Sequence, residues 1–171
     1  MIDTFPQFFT ATILGWKHLL KPDKYKDIIV ESLQFLVNNN RIILYGFVIM
    51  PNHIHLIWQM RENIKQEEVQ RDFLKFTSQK IKFDLIANHP LVLEKFRVDK
   101  KDRKYQIWKH RPLSVPLWSR EVFEQKLEYI HQNPVHEKWK LVEFAEQYKY
   151  SSASYYIANS SEWNFITHYM R

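Results

Sequence analysis

Two apolar runs separated only by Pro51-Asn52 constrain this chain more than any other feature: Ile42 to Met50 and His53 to Trp58. Both are rich in β-branched and aromatic residues, and the connection is short enough for an antiparallel hairpin. Side chains alternate along a strand, so His53 and His55 share one face, about 6–7 Å apart at the backbone. Ile54 and Leu56 then take the opposite face, toward a core. One histidine on such a strand is most simply a hydrogen-bonded structural residue. Two on one face are costly to bury unless something binds both, and a divalent metal is the simplest partner. His-x-His also arises by chance, so spacing alone leaves both readings open.

Around that hairpin the periodicity predicts a consistent order. Phe8 to Leu14 reads as a strand, and Pro22-Asp23 opens a helix with Tyr25, Ile28, Ile29, Leu33 and Leu36 on its apolar side, ended by Asn38-Asn39-Asn40. A second helix is expected from Gln66 to Ile86 with Val69, Phe73, Phe76 and Leu85 inward, then a fourth strand over Tyr105 to His110. Ser119 is a good N-cap for a third helix carrying Phe123, Leu127 and Ile130 and stopping at Pro134. Strand, helix, strand, strand, helix, strand is the split βαβ pattern of an α+β, ferredoxin-like (RRM-like) sandwich, here with an added C-terminal helix. Its first and third strands lie centrally, which puts the histidine pair mid-sheet. The length of 171 residues suits one domain spanning 1–171, with a core of about 5–134 and a tail of 135–171.

Charge is concentrated. The chain carries a net +6, and the segment Lys95–Arg111 has eight Lys or Arg against Asp99 and Asp102, a surplus that accounts for all of it. Phe96, Tyr105 and Trp108 are interleaved with these cations. Basic residues with aromatics suit single-stranded nucleic acid, with Lys100, Lys101, Arg103 and Lys104 on phosphates and Trp108 under a base. A solvated charged loop would look the same. Arg71, Lys75 and Lys82 share a face of the second helix and extend the basic surface. The absence of cysteine excludes disulfides, thiolate nucleophiles and zinc–thiolate sites. No secretion signal or membrane-length apolar run is visible, so a cytoplasmic protein is expected.

The third helix holds Tyr129-Ile130-His131-Gln132-Asn133-Pro134. Tyr129 and Asn133 are four apart and lie off the Phe123, Leu127, Ile130 stripe. A tyrosine there is either a packing residue with a wet hydroxyl or a nucleophile, if a metal polarises the electrophile.

Val48-Ile49-Met50-Pro51-Asn52-His53-Ile54-His55 together with Tyr129-Ile130-His131-Gln132-Asn133-Pro134-Val135 resembles the single-tyrosine transposases of the HUH superfamily, and most of all the REP-associated tyrosine transposases. Tyr148-Lys149-Tyr150-Ser151-Ser152 resembles the aromatic-Ser-Ser tail of that family, and Trp108 its tryptophan ahead of the catalytic helix. The likeness runs from the first strand to about Tyr156. It implies a ferredoxin-like fold, and Mg²⁺ or Mn²⁺ held by His53, His55 and a polar residue one turn past the tyrosine. By register that residue is Asn133, with Gln132 the alternative. Tyr129 would attack a phosphate of single-stranded, hairpin-forming DNA, giving a 5′-phosphotyrosine link and a free 3′-OH that permits strand transfer. Relatives act either as monomers or as homodimers exchanging the tyrosine helix. The family's glycine after Asn-Pro-Val is absent here, where His136-Glu137-Lys138-Trp139 follows. Two rival readings stand beside this one: a non-catalytic RRM-like nucleic-acid-binding module, and a metal-dependent phosphodiesterase that uses water.

Overall fold

The computed structural model describes residues 5–160 and 162–171. Its centre is a four-stranded antiparallel sheet of β1 (Gln7–Thr12), β2 (Ile42–Ile49), β3 (His53–Met60) and β6 (Leu113–Pro116), in the order β2-β3-β1-β6. Helices α1 (Asp23–Asn38) and α2 (Gln66–Asn88) cover one face, and α4 (Arg120–Gln132) covers part of the other. Strand order and connections are those of the ferredoxin-like split βαβ, with the histidine strand second from the edge.

The hairpin turns within Pro51-Asn52, where Met50 N–H donates to the His53 carbonyl at 2.8 Å. Alternation along β3 then separates two cores. Ile54, Leu56 and Trp58 pack toward α1 and α2 with Phe9, Ile29, Leu33 and Phe73. Ile57 faces the other way, with Phe8 and Val48, under Phe123, Leu127 and Ile130 of α4. That helix starts as its cap requires, with the Ser119 hydroxyl accepting from Val122 N–H at 3.2 Å. It approaches β2 at Gly46, beside a bulge, where a side chain would collide with Leu127 and Ile130.

Three expectations need correction. The fourth sheet strand is β6, not Tyr105 to His110. Residues 106–110 form only a single bridge, Ile13 to Trp108, because Gln106, Ile107 and Trp108 are buried as a connecting segment rather than paired along β1. The basic region before it is also more ordered than a loop: a short helix α3 (Pro90–Glu94) leads to a separate hairpin of β4 (Arg97–Lys100) and β5 (Arg103–Tyr105). Phe76 is half exposed on α2, its place in the core taken by Thr77 and Ile81.

After α4 the chain returns to the free edge of β2. Ile49 N–H donates to the Tyr150 carbonyl and Ser152 N–H to the Phe47 carbonyl, both at 2.9 Å, and α5 (Ala153–Ala158) follows. Covering this edge satisfies backbone groups that would otherwise be open to pairing with another chain.

Candidate active site

His53 and His55 lie on the α4 side of the sheet, their rings 4.7 Å apart. Each ring spends Nδ1 on a neighbour. The turn residue Asn52 is buried with its Nδ2 on the Trp16 carbonyl at 3.4 Å, so its Oδ1 faces His53 Nδ1 at 2.7 Å. That nitrogen therefore carries the proton, and Nε2 keeps its lone pair. Thr10, directly across from His55 on β1, meets His55 Nδ1 at 2.8 Å and can accept in the same way. Burial lowers the pKa of His53 to about 4 and that of His55 to about 3, the latter helped by His53 and Lys126. Both imidazoles are thus neutral at pH 7, the state a metal ligand requires.

Helix α4 delivers the other two groups. Tyr129 sits 5.5 Å from the His55 ring and 6.1 Å from Phe8, with 47% of its surface exposed. Its ring is held by edge contacts to Phe8 and His55 while the residue stays half exposed. Lys126, three residues earlier, puts Nζ 5.6 Å from the Tyr129 ring and 5.0 Å from that of Phe8. Asn133 caps the helix end with its side chain against His53, whose pKa it pulls partly back up. Asn133 Oδ1 is nevertheless buried with no hydrogen bond of acceptable geometry. An orphaned carbonyl oxygen against His53, with the His55 ring next to it, offers the mix of oxygen and imidazole nitrogen donors that suits a divalent cation. Among the described residues no group of three His, Cys, Asp or Glu is placed to hold a metal; the oxygen donor beside the histidine pair is the Asn133 amide. Of the two readings of the register, Asn133 is the residue that meets His53.

Several supports were not evident from the sequence. His131, buried on the far side of α4, hydrogen-bonds through Nε2 to Ser152 Oγ at 2.7 Å, and Ser152 Oγ also accepts from Phe47 N–H at 3.0 Å. The His in the helix and the Ser-Ser in the tail are therefore one clamp tying α4 to β2. Trp139 packs between His18 and His53 at 5.4 and 6.1 Å. Tyr148 and Tyr150, the other tyrosines near the tail motif, have hydroxyls committed to the Ile49 carbonyl and to Asp27, and burial raises both pKa values.

The basic residues divide. Arg71, Lys75 and Lys82 of α2 line a groove of about 800 Å³ together with Arg103, Lys109 and Arg111. Lys100, Lys101 and Lys104 are exposed on the β4–β5 hairpin and do not line that groove; Lys100 donates to Gln106 Oε1 at 2.9 Å. Trp108 is a correction. It borders the groove but is only 7% exposed, with its indole N–H on Thr77 Oγ1 at 3.0 Å, so its ring is core and not a stacking surface. No helix among the described residues is long and apolar enough to cross a membrane.

No family model matches the sequence, and no curated protein does. Several solved structures share the fold, and two serve as representatives. One, a REP-associated tyrosine transposase bound to a REP hairpin, superposes with a TM-score of 0.67 at 18% identity over 92% of this chain and 81% of the other. The second, a candidate transposase from Deinococcus radiodurans R1, gives 0.50 at 13% identity over 77% of this chain and 92% of that one.

Proposed function

We propose that the protein is a tyrosine transposase that cleaves and rejoins single-stranded, hairpin-forming DNA through a 5′-phosphotyrosine intermediate. The observation that carries this reading is the convergence of four groups from two distant segments on one patch: His53 and His55 from the sheet, Tyr129 and Asn133 from the helix above it. Fold likeness to a transposase seen with a DNA hairpin supports the substrate class. A binding module that never cuts needs no such set.

In this reading Tyr129 Oη attacks the scissile phosphorus. The Oη–P bond forms, the P–O3′ bond breaks, the phenol proton passes to solvent beside the half-exposed Tyr129, and the departing 3′ oxygen takes up a proton. The ester preserves the energy of the phosphodiester, so a second 3′-OH reverses the step on another strand without ATP. Lys126 lies where it offsets negative charge on phenolate and phosphate. His53 and His55 Nε2 with Asn133 Oδ1 would hold a divalent cation, whose contribution when bound is Lewis-acid neutralisation of the phosphate. Nitrogen donors favour Mn²⁺ over Mg²⁺, which prefers oxygen. Asn52 and Thr10 orient the two rings, and Trp139 shields His53 from the side.

The decisive experiment is Tyr129→Phe. It removes one oxygen from a half-exposed residue, leaving stability and metal binding nearly unchanged. Incubated with single-stranded DNA and Mn²⁺, wild type should give a covalent adduct on a denaturing gel, and Tyr129→Phe neither adduct nor cleavage. Cleavage at the wild-type rate by that variant would transfer the attack to water and make the protein a phosphodiesterase.

A further inference from the structure

Between the basic groove and the histidine pair stands a residue that neither accounts for. Trp16 follows β1 in the short turn Leu14–Trp16, and both Gly15 and Trp16 have left-handed backbones, at φ 67° and 58°. Glycine adopts that conformation freely; a bulky residue is a rare outlier there and carries strain. The turn is pinned on every side. Ile13 N–H donates to the Asn52 carbonyl at 2.9 Å, Leu14 N–H to the Ile107 carbonyl at 2.8 Å, and Trp16 N–H back to the Ile13 carbonyl at 2.9 Å. That much order is spent presenting an indole that remains 55% exposed.

Its surroundings say what it meets. The Trp16 carbonyl accepts from Asn52, the residue that orients His53, so the turn is one side chain removed from the site. Lys109, whose backbone N–H is held by the Thr12 carbonyl at 2.7 Å, places Nζ 5.4 Å from the Trp16 ring centre. Lys109 also lines the basic groove with Arg71, Lys75 and Lys82. Exposed aromatic ring, adjacent cation and a continuing basic groove are the elements of a single-strand track, with bases on rings and phosphates on lysines.

We infer that Trp16 is a stacking platform for an unpaired base of the DNA strand, with Lys109 on the neighbouring phosphate, where the strand passes from the groove to the histidine pair. The assignment rests on the DNA-processing reading of the site, and it gives the basic groove a route to Tyr129.

Binding is measured without metal, in EDTA, so that no cleavage intervenes. The probes are a dye-labelled oligothymidylate and an abasic oligonucleotide of equal length. Trp16→Gly should weaken binding of oligothymidylate on the order of 10-fold, the loss typical of one stacked base, and leave abasic binding and the salt slope unchanged. Because glycine relieves the left-handed strain, the same variant should unfold no earlier than wild type. Trp16→Phe should keep most of the affinity. Lys109→Gln should weaken both probes and flatten the salt slope by about 0.7. The inference is overturned if Trp16→Gly binds oligothymidylate as wild type does, or loses both probes equally. Wild-type protein that binds neither probe overturns it together with the reading it rests on.

Discussion

Gly46→Ala tests whether the active site depends on how closely α4 meets the sheet. A methyl group built at Gly46 would lie 2.8 Å from Leu127 Cδ1, 3.3 Å from Ile130 Cδ1 and 3.2 Å from Ser152 Oγ. Carbon atoms prefer about 3.5–4.0 Å, so the first of these approaches cannot persist. Leu127 must leave its rotamer or the helix must rise. Overpacking of this kind costs about 1–3 kcal/mol, and stiffening the unfolded chain by removing a glycine returns about 0.4–1, for a net loss of about 1–2 kcal/mol. Leu127 and Ile130 flank Tyr129, so a rising helix carries the tyrosine and Asn133 away from the histidines. A misplacement of about 1 Å costs on the order of 10²-fold in rate. Urea denaturation should show a lower midpoint at unchanged slope, and a single-strand cleavage assay with Mn²⁺ a disproportionate fall in rate. In a Leu127→Ala background, which removes the nearest atom, Gly46→Ala should cost much less. A Gly46→Ala protein as stable and as active as wild type would refute the close-approach argument.

Mn²⁺ titrated into wild type by calorimetry should bind more tightly than Mg²⁺. His53→Ala, His55→Ala and Asn133→Ala should each weaken it by at least the ~10–100-fold lost when a ligand's hydrogen-bond partner is removed; an equal loss from Gln132→Ala would reassign the third ligand. Acid should destabilise the fold. Burial lowers the pKa of His53 to about 4, His55 to about 3 and His131 to about 4, so the unfolded chain takes up protons that the folded one rejects. Their contribution is complete above the ordinary histidine pKa of 6.5 and is lost as pH falls toward 4, at up to about 4 kcal/mol per pH unit for three protons. A denaturation midpoint flat between pH 6.5 and 4.5 would contradict that burial. Replacing Arg71, Lys75 and Lys82 together with Gln should flatten the salt dependence of single-strand binding by about 0.7 for each phosphate left without its cation, and more than replacing Lys100, Lys101 and Lys104. The reverse ranking would move the strand onto the β4–β5 hairpin.

What is legible in the sequence is whatever local periodicity controls. The strands around Pro51-Asn52, the Ser119 cap and the apolar stripe of α4 follow from side-chain alternation and helical spacing, and the sheet order follows from their sequence. The fourth strand escapes such a reading because Tyr105 to His110 has strand-like content but runs as a linker with Gln106, Ile107 and Trp108 buried, whereas the half-exposed Leu113–Pro116 pairs with β1 at the sheet edge. Trp108 misleads for a related reason: a tryptophan among lysines looks like a stacking surface until Thr77 of α2, thirty-one residues earlier in the chain, is seen to accept its N–H.

Local pattern reaches its limit where distant stretches of chain meet, and the site is built from such meetings. His53 and His55 are neighbours in sequence, so their shared face is readable. Their meeting with Tyr129 and Asn133 requires α4 to sit at one height and rotation over the sheet. Three features set that placement: the missing side chain at Gly46, the Ser152 hydroxyl bridging His131 and the Phe47 backbone, and the tail paired along β2. None contributes an atom to the proposed chemistry. His131, Ser152 and Gly46 bear on the proposed reaction because they hold the helix where Tyr129 meets His55 and the Asn133 side chain meets His53. Substitutions there should lower activity through geometry, with the proposed metal ligands and nucleophile intact.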